Sequence, residues 1–295
     1  MRAKFAPTNG EGLRVALLFA APLALMLVQC SLTLSFPQAS VSGSDGGTII
    51  PGDGEALPDG TLPLDATTFT CPTNVKGVKQ IPIVVPNVTP FCIDATEVSI
   101  AEYKVFLADP SGHKAPAPCE GESREPKGNG KYVLSLKEQD SPMRYVDWCD
   151  ATAYCNWAGK RLCGKPAGGS AAFAGLAQPT ESQWFAACTQ KNEPYPYGPT
   201  HIDGKCNVDQ PNENECEVAP SQFPECHGAS PELLSMTGNV KEWEDSCDAN
   251  DRCRLRGASC FNKHEVATCQ QAEAHDREGH ENDLSDVGFR CCSKP

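Results

Sequence analysis

The sequence predicts a disulfide-rich α+β domain with little regular secondary structure, and three observations carry that prediction. Sixteen of the 17 cysteines lie between Cys71 and Cys292, a density and scatter that fit an oxidising compartment rather than a reduced cytosol. Twenty-five glycines, 25 prolines and many Asn and Asp residues break the chain into turns and short strands. Only three segments announce helices, each short and each opened by side chains able to cap the free backbone N–H groups of a first turn.

Taken in chain order, Arg2, Lys4 and Arg14 precede the apolar run VALLFAAPLALMLV, which ends near Cys30. A basic start and a short apolar run read as a secretory signal. The run is short for a membrane span, although continuation through SLTLSF leaves an uncleaved anchor as an alternative. LVQC is similar to the lipobox of bacterial lipoproteins, in which Cys30 would carry the lipid, with Gln29 standing where a small residue is usual. Residues 31–70 contain six glycines, five acids and no Lys, Arg or Cys. Such a segment cannot bury enough apolar surface to offset its ordering entropy, so it reads as a linker holding a domain of residues 71–295 away from a membrane.

Within that domain, Ser99 and Glu102 form a capping box ahead of IAEYKVFL, which Pro110 ends. Asp147 precedes WCDATAYCNWA, where Trp148, Ala151, Tyr154, Cys155 and Ala158 share a stripe before Gly159. Thr180 and Gln183 read as another box, opening ESQWFAACTQ behind Pro179. Gly238-Asn239 suits a turn with positive φ, and Arg256-Gly257 a turn into a strand. Trp148, Trp157, Trp184 and Trp243 read as core. The formal net charge of −13 argues against nucleic acid or an anionic lipid surface as partner of the folded domain, since both need a cationic face.

Eight blocks follow one another from Phe91 to Cys291: PFCIDATEVSIAEYKVFL, SPMRYVDWCDATAYCNWAGKRL, QPTESQWFAAC, PYPYG, CNV, LLSMTGNVKEW, RLRGAS and VGFRC. In that order they resemble the formylglycine-generating enzyme, or sulfatase-modifying factor, family. The resemblance implies that family's domain, a variant of the C-type lectin fold with little regular secondary structure. It also implies two disulfides, Cys155 to Cys291 and Cys188 to Cys269. Cys71 with Cys92 and Cys247 with Cys253 are spaced as local loops could be, but spacing alone does not settle connectivity. The segment CGKPAGGSAAFAGLAQ has no family counterpart and reads as a surface loop pinned by Cys163.

The activity the resemblance implies is an oxidation in which two cysteine thiolates hold copper(I), oxygen is activated, and a cysteine of a sulfatase peptide becomes formylglycine. Copper(I) prefers sulfur, and a thiolate ligand must be reduced. The family's two cysteines follow the serine of an RGGS motif. Counted from Ser259 of RGAS, those positions hold Asn262 and Ala267, which cannot be thiolates. The loop from Ser259 to Cys269 is also shorter than the family's, so Cys260 reads as half of a disulfide, a free thiol or a displaced ligand. Ser259 and Cys260 are the sole catalytic candidates, and copper is not expected. Relatives that use histidine-bound iron need a helical domain for which residues 31–70 have no room.

Calcium is the metal the resemblance favours, through hard oxygen ligands of Asn207, Val208, Gly238, Val240 and Glu242. Ser235 replaces an Asp or Asn there, and the alternative for Glu242 is a buried salt bridge or backbone cap. His264, His275 and His280 lie in the acidic stretch HEVATCQQAEAHDREGHEND, which reads as a solvated loop, with a metal site as the alternative. These residues together imply a secreted or membrane-anchored extracytoplasmic member that is a non-catalytic binding or structural module, with an unidentified protein or glycan as its ligand. The alternatives are a copper- and oxygen-dependent thiol oxidase acting on a sulfatase cysteine, and a calcium-dependent lectin-like recognition protein.

Overall fold

Two four-stranded sheets are joined by the last seven described residues of the chain. The computed structural model describes residues 69–110, 117–119, 123–175, 177–189, 191–211, 218–279 and 283–293. All fall within one unit, Gly54–Pro295. The signal and linker segments, Cys30, Cys216 and His280 lie outside the described residues.

The first sheet has the order β1 (Gln80–Ile83), β2 (Phe91–Asp94), β8 (Cys291–Ser293) and β3 (Arg161–Leu162), all antiparallel. The second has the order β6 (Ala272–Asp276), β5 (Arg252–Arg256), β4 (Lys241–Cys247) and β7 (Val287–Gly288), with β4 and β7 parallel. Because β7 and β8 are separated by Phe289 and Arg290 alone, these two residues cross from one sheet to the other.

Helix α1 (Ile100–Ala108) starts at a reciprocal capping box: Ser99 Oγ accepts from Glu102 N–H, and Glu102 Oε2 accepts from Ser99 N–H at 3.0 Å. Helix α3 (Trp148–Trp157) has the same device, with Asp147 as N-cap and Asp150 reaching back to the cap backbone. Trp148 through Cys155 are all buried, so α3 is surrounded rather than striped. Helix α4 (Gln183–Cys188) corrects the sequence expectation. Its N-cap is Ser182, whose Oγ accepts from Phe185 N–H at 3.0 Å. Thr180 is instead spent in the turn that Gln178 O closes, and the Gln183 amide oxygen accepts from Arg161 and from Gly164 N–H. A short helix α2 (Gly130–Leu134), with no side-chain cap, is unmarked in the sequence. The acidic histidine stretch is corrected too: His275 sits in β6, registered against Cys253, because pairing with β5 satisfies its backbone. No helix of the described residues is long and apolar enough to cross a membrane.

One core lies under α1 and α3. Tyr103 stacks on Tyr154 with centroids 5.8 Å apart, and Phe289 meets Tyr154 edge-on at 5.3 Å. Burying each such ring contributes about 2–3 kcal/mol. A second core packs Ile81, Ile83, Phe91 and Ile93 against Trp184, Phe185, Leu233 and Met236. Trp148, Trp184 and Trp243 are buried, while Trp157 is half-buried with the Lys76 ammonium 4.6 Å from its ring centre.

All fifteen described cysteines are disulfide-bonded. Their bonds include Cys71–Cys92, Cys119–Cys149, Cys155–Cys291, Cys163–Cys292, Cys188–Cys269, Cys206–Cys226 and Cys247–Cys253. Such a framework belongs to an oxidising, extracytoplasmic compartment. The adjacent Cys291 and Cys292 point to opposite sides of β8, one holding α3 and the other the start of the 163–178 loop, whose surface is largely exposed. Cys155–Cys291 closes 136 residues. Replacing both by alanine should lower unfolding free energy by about 4 kcal/mol, read as a reduced urea midpoint under non-reducing conditions.

Candidate functional site

The loop after β5 begins at Gly257, whose φ of +70° only glycine adopts freely and against which the Trp184 ring packs. Ser259 is fully buried. Its hydroxyl donates to Asp286 Oδ2 at 2.6 Å and lies 3.1 Å from Asn262 Oδ1, which also accepts from Ser259 N–H. The carboxylate of Asp286 is in turn 3.5 Å from Lys241. Ser259 is thereby built into an anchor that ties the loop to Asp286 and Asn262. Cys260 is fully buried and disulfide-bonded, which leaves it no thiolate to offer. Asn262 serves the Ser259 turn and Ala267 is buried in a small apolar cluster with Val208 and Ala258. No described cysteine near RGAS is a free thiol.

Beside this loop lies a buried polar cluster that no single motif announces. Arg290 is fully buried and all three of its side-chain nitrogens donate. Nε donates to Glu242 Oε2 at 2.7 Å and Nη2 to Glu242 Oε1 at 2.7 Å, while the carbonyls of Asp94, Leu234 and Ser235 accept the rest. Trp184 Nε1–H donates to the same Glu242 Oε2 at 2.9 Å. A second carboxylate, Glu97, stands 3.9 Å from Arg290 and accepts from Asn239 Nδ2 at 3.1 Å. Asn207 Nδ2 donates to Asn239 Oδ1 at 3.1 Å, completing a chain from Glu97 through Asn239 to Asn207. One guanidinium thus faces two carboxylates away from water. Burial pushes Glu97 from its ordinary 4.5 up to about 8, against the pull of Arg290 and with the charge of Glu242 adding to the rise. Nearby, burial lifts Asp94 from 3.8 to about 6 despite its 2.7 Å pair with Lys160.

The calcium residues fall in this same region but divide in their fitness. Asn207 Oδ1 is buried without a hydrogen-bond partner, as a hard-oxygen ligand would be before binding. Gly238 fits close backbone approach: a Cβ there would meet Asn207 O at 2.5 Å. Glu242 does not fit, since both of its oxygens are engaged by Arg290 and Trp184, the ion-pair alternative of the two. Val208 is buried in the Ala258–Ala267 cluster, Val240 is buried, and Ser235 offers its carbonyl to Arg290. Among the described residues no group of three His, Cys, Asp or Glu side chains is placed to hold a metal ion.

Raised folded-state pKa values have a definite sign in stability. The contribution of Glu97 is fully present below pH 4.5 and is lost as pH rises through about 8; that of Asp94 is lost between 3.8 and about 6. Glu97→Gln keeps the acceptor for Asn239 without the charge. It should flatten the upper part of the fall, above pH 6, and leave the variant more stable than the parent at pH 8, as urea melts across that range would report.

Comparison with known proteins places these features. The profile of the sulfatase-modifying factor enzyme 1-like domain matches residues 55–295. The chain is 32% identical over 187 residues to the inactive C-alpha-formylglycine-generating enzyme 2 of Bos taurus, covering 58% of this chain and 55% of the relative. It is 25% identical over 297 residues to the formylglycine-generating enzyme of Mus musculus, covering 79% of this chain and 74% of that enzyme. The alignment thus spans little more than half the length of the inactive relative. Among solved structures, PvdO from Pseudomonas aeruginosa shares the fold at 17% identity, with a TM-score of 0.50 over 75% of this chain and 93% of its own.

Proposed function

The chain belongs to the sulfatase-modifying factor enzyme 1-like family, and from that premise we propose that it is an extracytoplasmic member that binds a protein or glycan ligand without catalysis. The observation carrying this reading is the state of sulfur at the RGAS loop. Asn262 and Ala267 occupy the positions of the family's thiolate pair, and Cys260 is tied in a disulfide. Copper(I) chemistry needs soft, reduced sulfur ligands, and the described residues supply none there. The similarity to an inactive relative runs in the same direction. The Gly257 turn, the Ser259 anchor and the Arg290 cluster hold the shape of this region.

Thiol counting on the folded protein, followed by copper(I) titration, tests this. The expected outcome is no stoichiometric high-affinity copper uptake and no accessible thiol within residues 71–295. Two free thiols with one copper bound would establish the oxidase alternative, as would conversion of the cysteine of a CxPxR peptide to an aldehyde by mass spectrometry.

A calcium-dependent recognition role is the second reading, favoured by the buried, unpartnered Oδ1 of Asn207. On this reading calcium raises the melting temperature and Asn207→Ala abolishes the rise. A melt indifferent to calcium and to chelator removes it.

A further inference from the structure

Two loops, residues 194–206 and 260–268, meet through side chains rather than secondary structure. The rings of His201 and His264 stack with centroids 4.1 Å apart at 19°. Each imidazole is held by a carboxylate: His201 Nε2 lies 2.9 Å from Asp203 Oδ1, and His264 Nδ1 lies 2.8 Å from Asp209 Oδ2. Tyr197 Oη reaches the other nitrogen of His201 at 3.2 Å, and the Tyr195 ring lies 5.7 Å from that imidazole. Backbone bonds join the same region, from Cys269 N–H to Pro194 O at 2.7 Å and from Asp209 N–H to Asn262 O at 2.9 Å. Cys206–Cys226 and Cys188–Cys269 fasten the loops to their surroundings, and Cys260 is also bonded.

This rigid junction presents apolar surface. Five large apolar side chains are exposed among the described residues, and three of them, Ile202, Phe261 and Val266, lie on these two loops. Beside Ile202 opens a cleft of about 320 Å³ lined by Ile202, Asp203, Lys205, Phe223, Pro224 and Glu225. Its lining mixes apolar Ile202, Phe223 and Pro224 with charged Asp203, Lys205 and Glu225. Asp203 is 98% exposed and Glu225 71%, so these carboxylates face water despite their intramolecular partners. Asp203, Asp209, Glu225 and Glu265 outnumber Lys205 and Lys263. Exposed apolar groups concentrated at a pre-ordered, disulfide-held junction mark an interaction surface, because little conformational freedom is left to lose on binding. The sign of the rim selects a cation, as does the chain's net charge of −13.

We propose that this junction docks a protein partner through a segment in which Arg or Lys side chains flank aliphatic ones. The aliphatic groups lie on Ile202, Phe223 and Pro224 in the cleft, and the cations meet Asp203 and Glu225. The sign of the rim excludes nucleic acid and anionic lipid. The proposal deepens the reading of the chain as a binding module, but its test is separate: thiol and copper measurements decide the absence of catalysis whatever binds here.

The probes are three short fluorescein-labelled peptides, of alternating Leu and Arg, Leu and Glu, and Gly and Arg, followed by anisotropy with the full chain. The Leu-Arg peptide should bind, and the other two at least about tenfold more weakly. The double variant Ile202→Ser/Phe223→Ser should weaken Leu-Arg binding by on the order of tenfold, with its disulfides and melting temperature unchanged. Tyr132→Ser, an exposed aromatic on α2, should have no effect. Should the double variant fail to fold, Asp203→Asn/Glu225→Gln replaces it, with the same loss expected. The proposal is overturned by equal binding of the Leu-Glu peptide, by no binding of the Leu-Arg peptide, by loop variants that bind as the parent does, or by capture of neutral oligosaccharide at this surface in place of peptide.

Discussion

The guanidinium of Arg290 is the constraint around which the domain closes. It lies in the two-residue crossing from β7 to β8, so the residue that changes sheets also supplies the charge at the centre. Its bonds reach β4 through Glu242, the end of β2 through Asp94 O, and the 234–235 turn through two carbonyls. Planar, multiply donating geometry makes arginine suited to this, where a lysine would offer a point charge and fewer directed bonds. A buried charge must be paired at nearly every donor or the desolvation penalty dominates, so each of these neighbours is held in place by the same requirement. Phe289, the other crossing residue, puts its ring into the aromatic cluster with Tyr103 and Tyr154.

From that centre the two cores are staked by covalent bonds rather than by long elements. Strands of two to seven residues and helices of five to ten bury little surface individually. Disulfides compensate by removing freedom from the unfolded chain, and the bonds from Cys291 and Cys292 clamp β8 on both sides, directly after Arg290. Burial raises the Glu97 carboxyl, so the cluster holds its second acid in the protonated form until the pH approaches about 8. The same clamping fits the RGAS loop, where Ser259 and Cys260 hold the chain down instead of presenting reactive groups.

Legibility follows the range of the interactions. The caps of α1 and α3 are visible in the sequence because a capping box is closed within four residues. At α4 the sequence misleads, because two nearby polar residues, Thr180 and Ser182, could both begin a helix, and the choice falls to Gln183, whose side chain is drawn to Arg161 and Gly164. Helix α2 carries no cap and so leaves no mark. Glu97, Asn239 and Arg290 meet from distant parts of the chain, and the stack of His201 on His264 likewise joins separate loops.

By itself the sequence determined the oxidising compartment, the caps of α1 and α3 and the presence of Asn262 and Ala267 after Ser259, because composition and residue identity are local facts. Family resemblance extended that to the order of the blocks. The tertiary structure decided where Glu242 spends its charge, what Ser259 anchors, and that His201 stacks on His264. Those outcomes depend on which distant groups are desolvated together, and pairing energies of that kind exist only once the chain has closed.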